Sequence, residues 1–141
     1  MDPTVWGPHG WIFLHSITMA YPECPKLDDK VAYKRFFSTL KDVLPCDKCR
    51  QHYGDNLVKY PLTDEILESK ERLVNWLIDI HNAVNIMNGK PKWTTEQVLA
   101  KYDELYSHKT SVYKNLLCLS FFVIIVLSLI IYYLFIKKRF K

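Results

Sequence analysis

The stretch LPCDKCRQHY, residues 44–53, holds two of the four cysteines, two residues apart, just after a proline. Proline is favoured at the first position of a helix, where its missing N–H costs nothing. Pro45 therefore opens a helix running towards Tyr60, with Cys46 and Cys49 in its first turn. There the unpaired N–H groups and the positive end of the helix dipole favour a thiolate, the reactive form of the side chain. Lys48, Arg50 and His52 add local positive charge. A zinc site would use Cys46, Cys49, His52 and a further ligand such as His81, but structural zinc takes a second close ligand pair, which the chain lacks. A thioredoxin-like domain requires βαβ patterning, and a purely structural disulfide across so small a loop removes little chain entropy. Spacing alone leaves redox and zinc chemistry both open.

Outward from this motif the periodicity is helical, and strand signals are almost absent. A first helix is expected over about residues 7–20, with Trp11, Leu14, His15 and Thr18 on one face. YPECPKLDD breaks it, and Asp28 reads as the N-cap of a second helix over 29–43 carrying Phe36, Leu40, Val43 and Leu44. A fourth helix over 70–88 presents Leu73, Leu77, His81, Val84, Asn85 and Asn88 along one stripe and stops at Gly89. Thr94 with Gln97 reads as a capping box for a short fifth helix ending near Tyr106. The expected fold is all-α, a four-helix bundle with a short fifth helix, occupying residues 1–108 and followed by a linker over 109–115.

Residues 116–136, LLCLSFFVIIVLSLIIYYLFI, form an uncharged apolar run long enough to span a bilayer as a helix. Tyr132 and Tyr133 near its end, and a basic tail over 137–141, suit a membrane interface. Five of the 19 Lys and Arg lie at 114 or beyond and no acid does, leaving 14 basic against 15 acidic residues before them. The formal +4 thus belongs to the C-terminal segment, and the near-neutral remainder argues against nucleic-acid binding. MDPTVWGPHGW has neither the basic nor the apolar region of a signal peptide. The expectation is a single-pass protein with a C-terminal anchor and a cytosol-facing domain, although the basic cluster beyond the span pulls towards the opposite orientation.

Two further stretches bear on the cysteines. WGPHGWIFLH, Trp6 to His15, precedes them, and HNAVN, His81 to Asn85, follows with GKPKW, Gly89 to Trp93. Polar groups on the inner stripe of the fourth helix would cost about 1–3 kcal/mol each if buried without partners, which an enclosed polar ligand would relieve. Taken in order, W-G-x-x-x-W-x-x-L-H, P-C-x-x-C and H-N-x-V-N with G-K-P resemble the Erv/ALR family of FAD-linked sulfhydryl oxidases, above all the short forms of large cytoplasmic DNA viruses. The resemblance spans about residues 4–106.

It implies a helical bundle cradling FAD, often as a homodimer. Cys46 and Cys49 would be catalytic, with Cys49 beside the flavin and Cys46 open to incoming thiols. Trp11 would pack against the cofactor and His15 hydrogen-bond it. His81, Asn82 and Asn85 would line the site, and Gly7 and Gly10 would allow close approach. Lys90 would answer the pyrophosphate, and Trp93 with Tyr102 would flank the adenine. Electrons would pass from a dithiol protein through Cys46–Cys49 to FAD and then to O2, releasing H2O2, with no metal. No shuttle cysteine pair is evident: Cys24 stands in PECP and Cys118 inside the span, so an external thioredoxin-like substrate is expected to meet Cys46 directly. Cellular relatives brace the fourth helix with another disulfide, at positions matching Ile78 and Thr95. The setting implied is a host or virion membrane during virion assembly. Two alternatives remain: a membrane-anchored zinc-binding adaptor using Cys46, Cys49 and His52, and a catalytically dead scaffold that keeps FAD only to hold its fold.

Overall fold

A computed structural model describes residues 1–139, apart from the side chains of 108–112, 115 and 134. Among the described residues every regular element is helical: α1 Pro3–Met19, α2 Leu27–Val43, α3 Asp47–Lys59, a 3-10 turn Ile66–Glu68, α4 Lys70–Met87 and α5 Thr95–Arg139. Two units divide the chain, Met1–Thr95 and the remainder of α5.

In the first unit, α1 starts earlier than its glycines and Pro8 suggest. Asp2 Oδ1 accepts from the Thr4 amide at 2.8 Å and Pro3 takes a first-turn position, so a strong cap seeds the helix ahead of the weak WGPHG segment. Asp28 is not the cap of α2, contrary to expectation. Lys26 is, and its amide donates to Asp29 Oδ2 at 2.8 Å, which places both aspartates in the first turn facing the dipole. The α2 stripe also turns: Phe37 is fully buried, Phe36, Leu40 and Leu44 are half-buried, and Val43 is 62% exposed. Phe37 packs edge-on to Trp76 of α4 with centroids 5.1 Å apart.

The core joins all four helices of this unit: Leu14 and Tyr21 from α1 and its end, Phe37, Tyr53, then Leu67, Leu73, Trp76, Leu77 and Ile80. Burying each large apolar side chain contributes about 1.5–3 kcal/mol. Three aromatic tips of the core are satisfied: Tyr21 donates to the Leu67 carbonyl at 2.9 Å, Tyr53 to that of Phe37 at 3.0 Å, and Trp76 Nε1 to that of Tyr60 at 2.9 Å. Outside, Lys30–Glu68, Lys34–Asp64 and Lys70–Glu23 strap the elements together at 2.6–2.7 Å. As exposed, solvent-screened pairs they contribute little to stability.

α4 ends as Gly89 predicts. Gly89 sits at φ +66, its amide donates to the Ile86 carbonyl at 3.0 Å, and the Lys90 amide donates to that of Asn85 at 2.8 Å. This closure satisfies two terminal carbonyls and turns the chain back along α4.

The second unit is a single helix. α5 does not stop near Tyr106 but continues through the residues expected as a linker to Arg139. Val98 and Tyr102 are buried, and Leu116–Arg139, with a mean hydropathy of 2.8, is long and apolar enough to cross a membrane. Of the expected basic tail, Phe140 and Lys141 lie outside the described residues.

Candidate functional site

The cysteines sit at the start of α3, but Pro45 does not open it as expected: the helix begins at Asp47, and the proline precedes the Cys46 cap. Cys46 is the N-cap of α3, in extended conformation, and its Sγ accepts from the Cys49 amide at 3.3 Å. Both thiols are free and half-buried. The contact with the Cys49 thiol, and then the Cys49 amide, pulls the Cys46 thiol below its ordinary value. Burial first, then the hydrogen bond and charge of Cys46, push Cys49 up to about 11. The pair therefore titrates as one unit, and its first proton leaves Cys46. Arg50 contributes less to this than its position suggests, because its guanidinium donates to the Leu44 carbonyl at 2.6 Å and pairs with Asp47. The Met1 nitrogen donates to the Pro45 carbonyl at 3.1 Å, pinning the start of α1 beside the cysteine loop.

From α1 and α4 comes an aromatic cluster that the sequence separates by 66 residues. Trp11 stacks on His81 with ring centroids 3.8 Å apart and planes 8° apart. His15, fully buried, shares a hydrogen bond between its Nε2 and His81 Nδ1 at 3.0 Å, so one of these two nitrogens carries the proton. One helical turn separates Trp11 from His15, which lets α4 reach both with a single side chain.

Asn82, expected to line the site, is tied to the main chain of the returning segment. Its Oδ1 accepts from the Trp93 amide and its Nδ2 donates to the Trp93 carbonyl, both at 2.9 Å. Asn85 lies one turn on, half-buried, above the Gly89 reversal that its own carbonyl helps to close. Lys90 is exposed in the returning segment, and Trp93 is 37% exposed. Gly10 lies under the Trp6 ring, and a Cβ there would meet it in a tight contact at 3.3 Å. Gly7 has open space around it. Tyr102 belongs to the second unit, where burial pushes its phenol up to about 12.

Three features escaped sequence reasoning. Asn75, one heptad before Asn82 and so on the same side of α4, accepts from Thr95 Oγ1 at 2.8 Å. The i, i+7 spacing of two asparagines was the available signal. Trp6 Nε1 and Asn56 Nδ2 are buried with no hydrogen-bond partner among the described residues. No cluster of three His, Cys, Asp or Glu side chains gathers among the described residues to hold a metal ion.

Comparison with known proteins now bears on this arrangement. Residues 8–104 match the family model of the Erv1/Alr family. The chain belongs to the Erv1/Alr family. It is 46% identical over 109 residues to the probable FAD-linked sulfhydryl oxidase of Acanthamoeba polyphaga mimivirus, covering 77% of this chain and 76% of that one. A putative FAD-linked sulfhydryl oxidase of Invertebrate iridescent virus 6 is 36% identical over 95 residues, covering 64% and 86% of the two chains. The crystal structure of the FAD binding domain of Erv1 from Saccharomyces cerevisiae superposes with a TM-score of 0.63 at 27% identity, covering 74% of this chain and 92% of that one. As an Erv1/Alr chain, the protein carries the family's ordered motifs on α1, at the start of α3 and on α4.

Proposed function

We propose that this Erv1/Alr protein is an FAD-dependent thiol oxidase that forms disulfides in protein substrates through Cys46 and Cys49. The observation that carries the reading is the cysteine pair itself, with Cys46 capping α3 and accepting the Cys49 amide at 3.3 Å. A half-buried thiol that caps a helix beside a desolvated one is the arrangement of a redox pair rather than of a structural staple.

The site's chemistry fits FAD. The parallel Trp11–His81 rings supply flat faces for a planar heterocycle, and Trp6 Nε1 is a buried donor for which the described residues offer no acceptor. Lys90 is an exposed cation suited to a pyrophosphate. Trp11, His15, His81 and Asn85 would contact the cofactor from α1 and α4, Gly7 and Gly10 would permit its approach, and Lys90, Trp93 and Tyr102 would serve its nucleotide half. FAD supplies, when bound, the two-electron acceptor that delivers the electrons to dioxygen and yields H2O2.

The cysteines perform the exchange. A substrate thiolate attacks Cys46 Sγ of the oxidised pair; the Cys46–Cys49 bond breaks and Cys49 leaves as thiolate. A second substrate thiol, losing its proton, attacks the substrate sulfur of the mixed disulfide, forming the product disulfide and releasing Cys46. Overall, two thiols and one O2 give one disulfide and one H2O2.

Further parts of the reading follow from surfaces. The first unit forms a four-helix bundle around the cofactor, and Leu116–Arg139 tethers it to a membrane with the domain facing the cytosol. Lys137, Lys138 and Arg139 then meet lipid phosphates. An open apolar groove on α2, lined by Phe36, Leu40 and Val43 and flanked by the exposed Phe13, suits a second copy of the chain in a homodimer. The substrate is a dithiol protein of thioredoxin-like chemistry, and virion assembly is the setting suggested by the viral relatives. The test is the visible spectrum of the full chain in detergent, followed anaerobically with a dithiol and then in air. A flavin band that bleaches, recovers with peroxide release and fails to bleach in Cys49→Ser supports the oxidase. Bound flavin that dithiols never bleach points to a scaffold, and a colourless folded protein overturns the reading.

A further inference from the structure

Asn75 and Asn82 stand two turns apart on one side of α4 and both reach the same strand of chain. Asn82 brackets the Trp93 peptide groups, and Asn75 Oδ1 accepts from Thr95 Oγ1. The Gly89 reversal sends residues 90–95 back against the direction of α4, so Trp93 meets the later asparagine and Thr95 the earlier one. The spacings agree: seven helical residues rise about 10 Å, two extended residues span about 7 Å, and the side chains take up the difference.

We propose that Asn75 and Asn82 form a side-chain zipper that lays Trp93–Thr95 antiparallel along α4, and that Asn82 is a positioning residue of the flavin site rather than a flavin ligand. With its oxygen and its nitrogen both committed to Trp93, the orientation of the Asn82 amide is set by the main chain it holds. A segment outside regular secondary structure leaves its N–H and C=O to water or to side chains. The zipper supplies what a neighbouring strand would supply and fixes the segment that carries Lys90 and Trp93. The zipper stands on geometry alone; its service to flavin rests on the function proposed above.

The experiment uses the full chain in detergent, wild type and Asn82→Ala, Asn82→Asp and Asn75→Ala, with two readouts. One is hydrogen exchange at the Trp93 amide; the other is the rate of flavin release together with the position of the bound flavin band. In Asn82→Ala the Trp93 amide exchanges on the order of tenfold faster while amides of α1–α3 do not change. Flavin leaves faster, and its band stays where it was. Asn82→Asp keeps an acceptor for the Trp93 N–H but no donor for its carbonyl, so its exchange falls between the two; Asn75→Ala loosens the Thr95 end with a smaller effect. These two variants decide the matter should Asn82→Ala fail to fold. A shifted flavin band in Asn82→Ala with Trp93 exchange unchanged would overturn the proposal and make Asn82 a direct ligand. Wild type without flavin would sink the oxidase reading and the positioning role, while the Trp93 exchange alone would still decide the zipper.

Discussion

Alkylating the reduced protein tests the electrostatics of the cysteine pair directly. Cys49 is pushed from 9.0 up to about 11, chiefly by burial. At pH 7 its thiolate fraction then falls from about one in a hundred to about one in ten thousand. The more basic thiolate is intrinsically more nucleophilic, with a Brønsted slope of about 0.4–0.5, which returns nearly a factor of ten. The net expectation is that Cys49 reacts about tenfold more slowly than an unperturbed thiol. Cys46 is shifted the other way and reacts well ahead of Cys49. Once Cys46 is capped, its charge no longer opposes ionisation of Cys49, and Cys49 should speed up while remaining slowed by burial. The assay is anaerobic pulse alkylation of the fully reduced chain between pH 6 and 10, quantified by mass spectrometry of the peptide bearing both cysteines. Mono-alkylated peptide carrying the label on Cys46 should dominate early at every pH below about 9. Equal rates, or Cys49 ahead of Cys46 at pH 7, would refute the assignment of Cys46 as the thiolate-favoured member.

Four more outcomes follow from the packing. Burial raises the phenol of Tyr53 well above 10.0; the unfolded chain therefore loses this proton first, and stability present below pH 10 should decline as pH rises past it, measured as a falling melting temperature. Gly89→Ala meets no atom within 4 Å of the added Cβ but must hold φ +66, so it should cost about 1–2 kcal/mol of stability by thermal unfolding. Trp76→Phe keeps a ring against Phe37 and loses the donor to Tyr60, a loss of about 1 kcal/mol by the same assay. His81→Phe preserves a ring over Trp11 but removes the hydrogen bond to His15, costing about 1 kcal/mol; denaturant unfolding of flavin-free protein gives the number.

Much of this molecule is written in short-range signals. The cysteine spacing puts both thiols at a helix start, because capping depends on residues within one turn, although the helix opens two residues after Pro45. Gly89 ends α4 for the same reason, since only its own φ is at issue. The uncharged run after Leu116 is legible, by length and composition, as a helix apolar enough to cross a membrane. Where local signals compete, the strongest one decided: Asp2 and Pro3 started α1 ahead of the weak WGPHG segment, and nothing near Tyr106 was strong enough to stop α5.

The choice of Phe37 over Phe36 as the fully buried residue of α2 belongs to the tertiary structure, because a rotation of one residue about the helix axis depends on where Trp76 stands. The same holds for the stacking of Trp11 on His81 and for the commitment of Asn82 to the Trp93 peptide groups. Sequence alone determined that the chain is helical, that the thiols sit at a helix start and which segment is apolar enough for a bilayer. Tertiary packing decided which side chains complete one another, because partners 66 residues apart share no turn of helix, and only the approach of α1 to α4 brings their rings within contact.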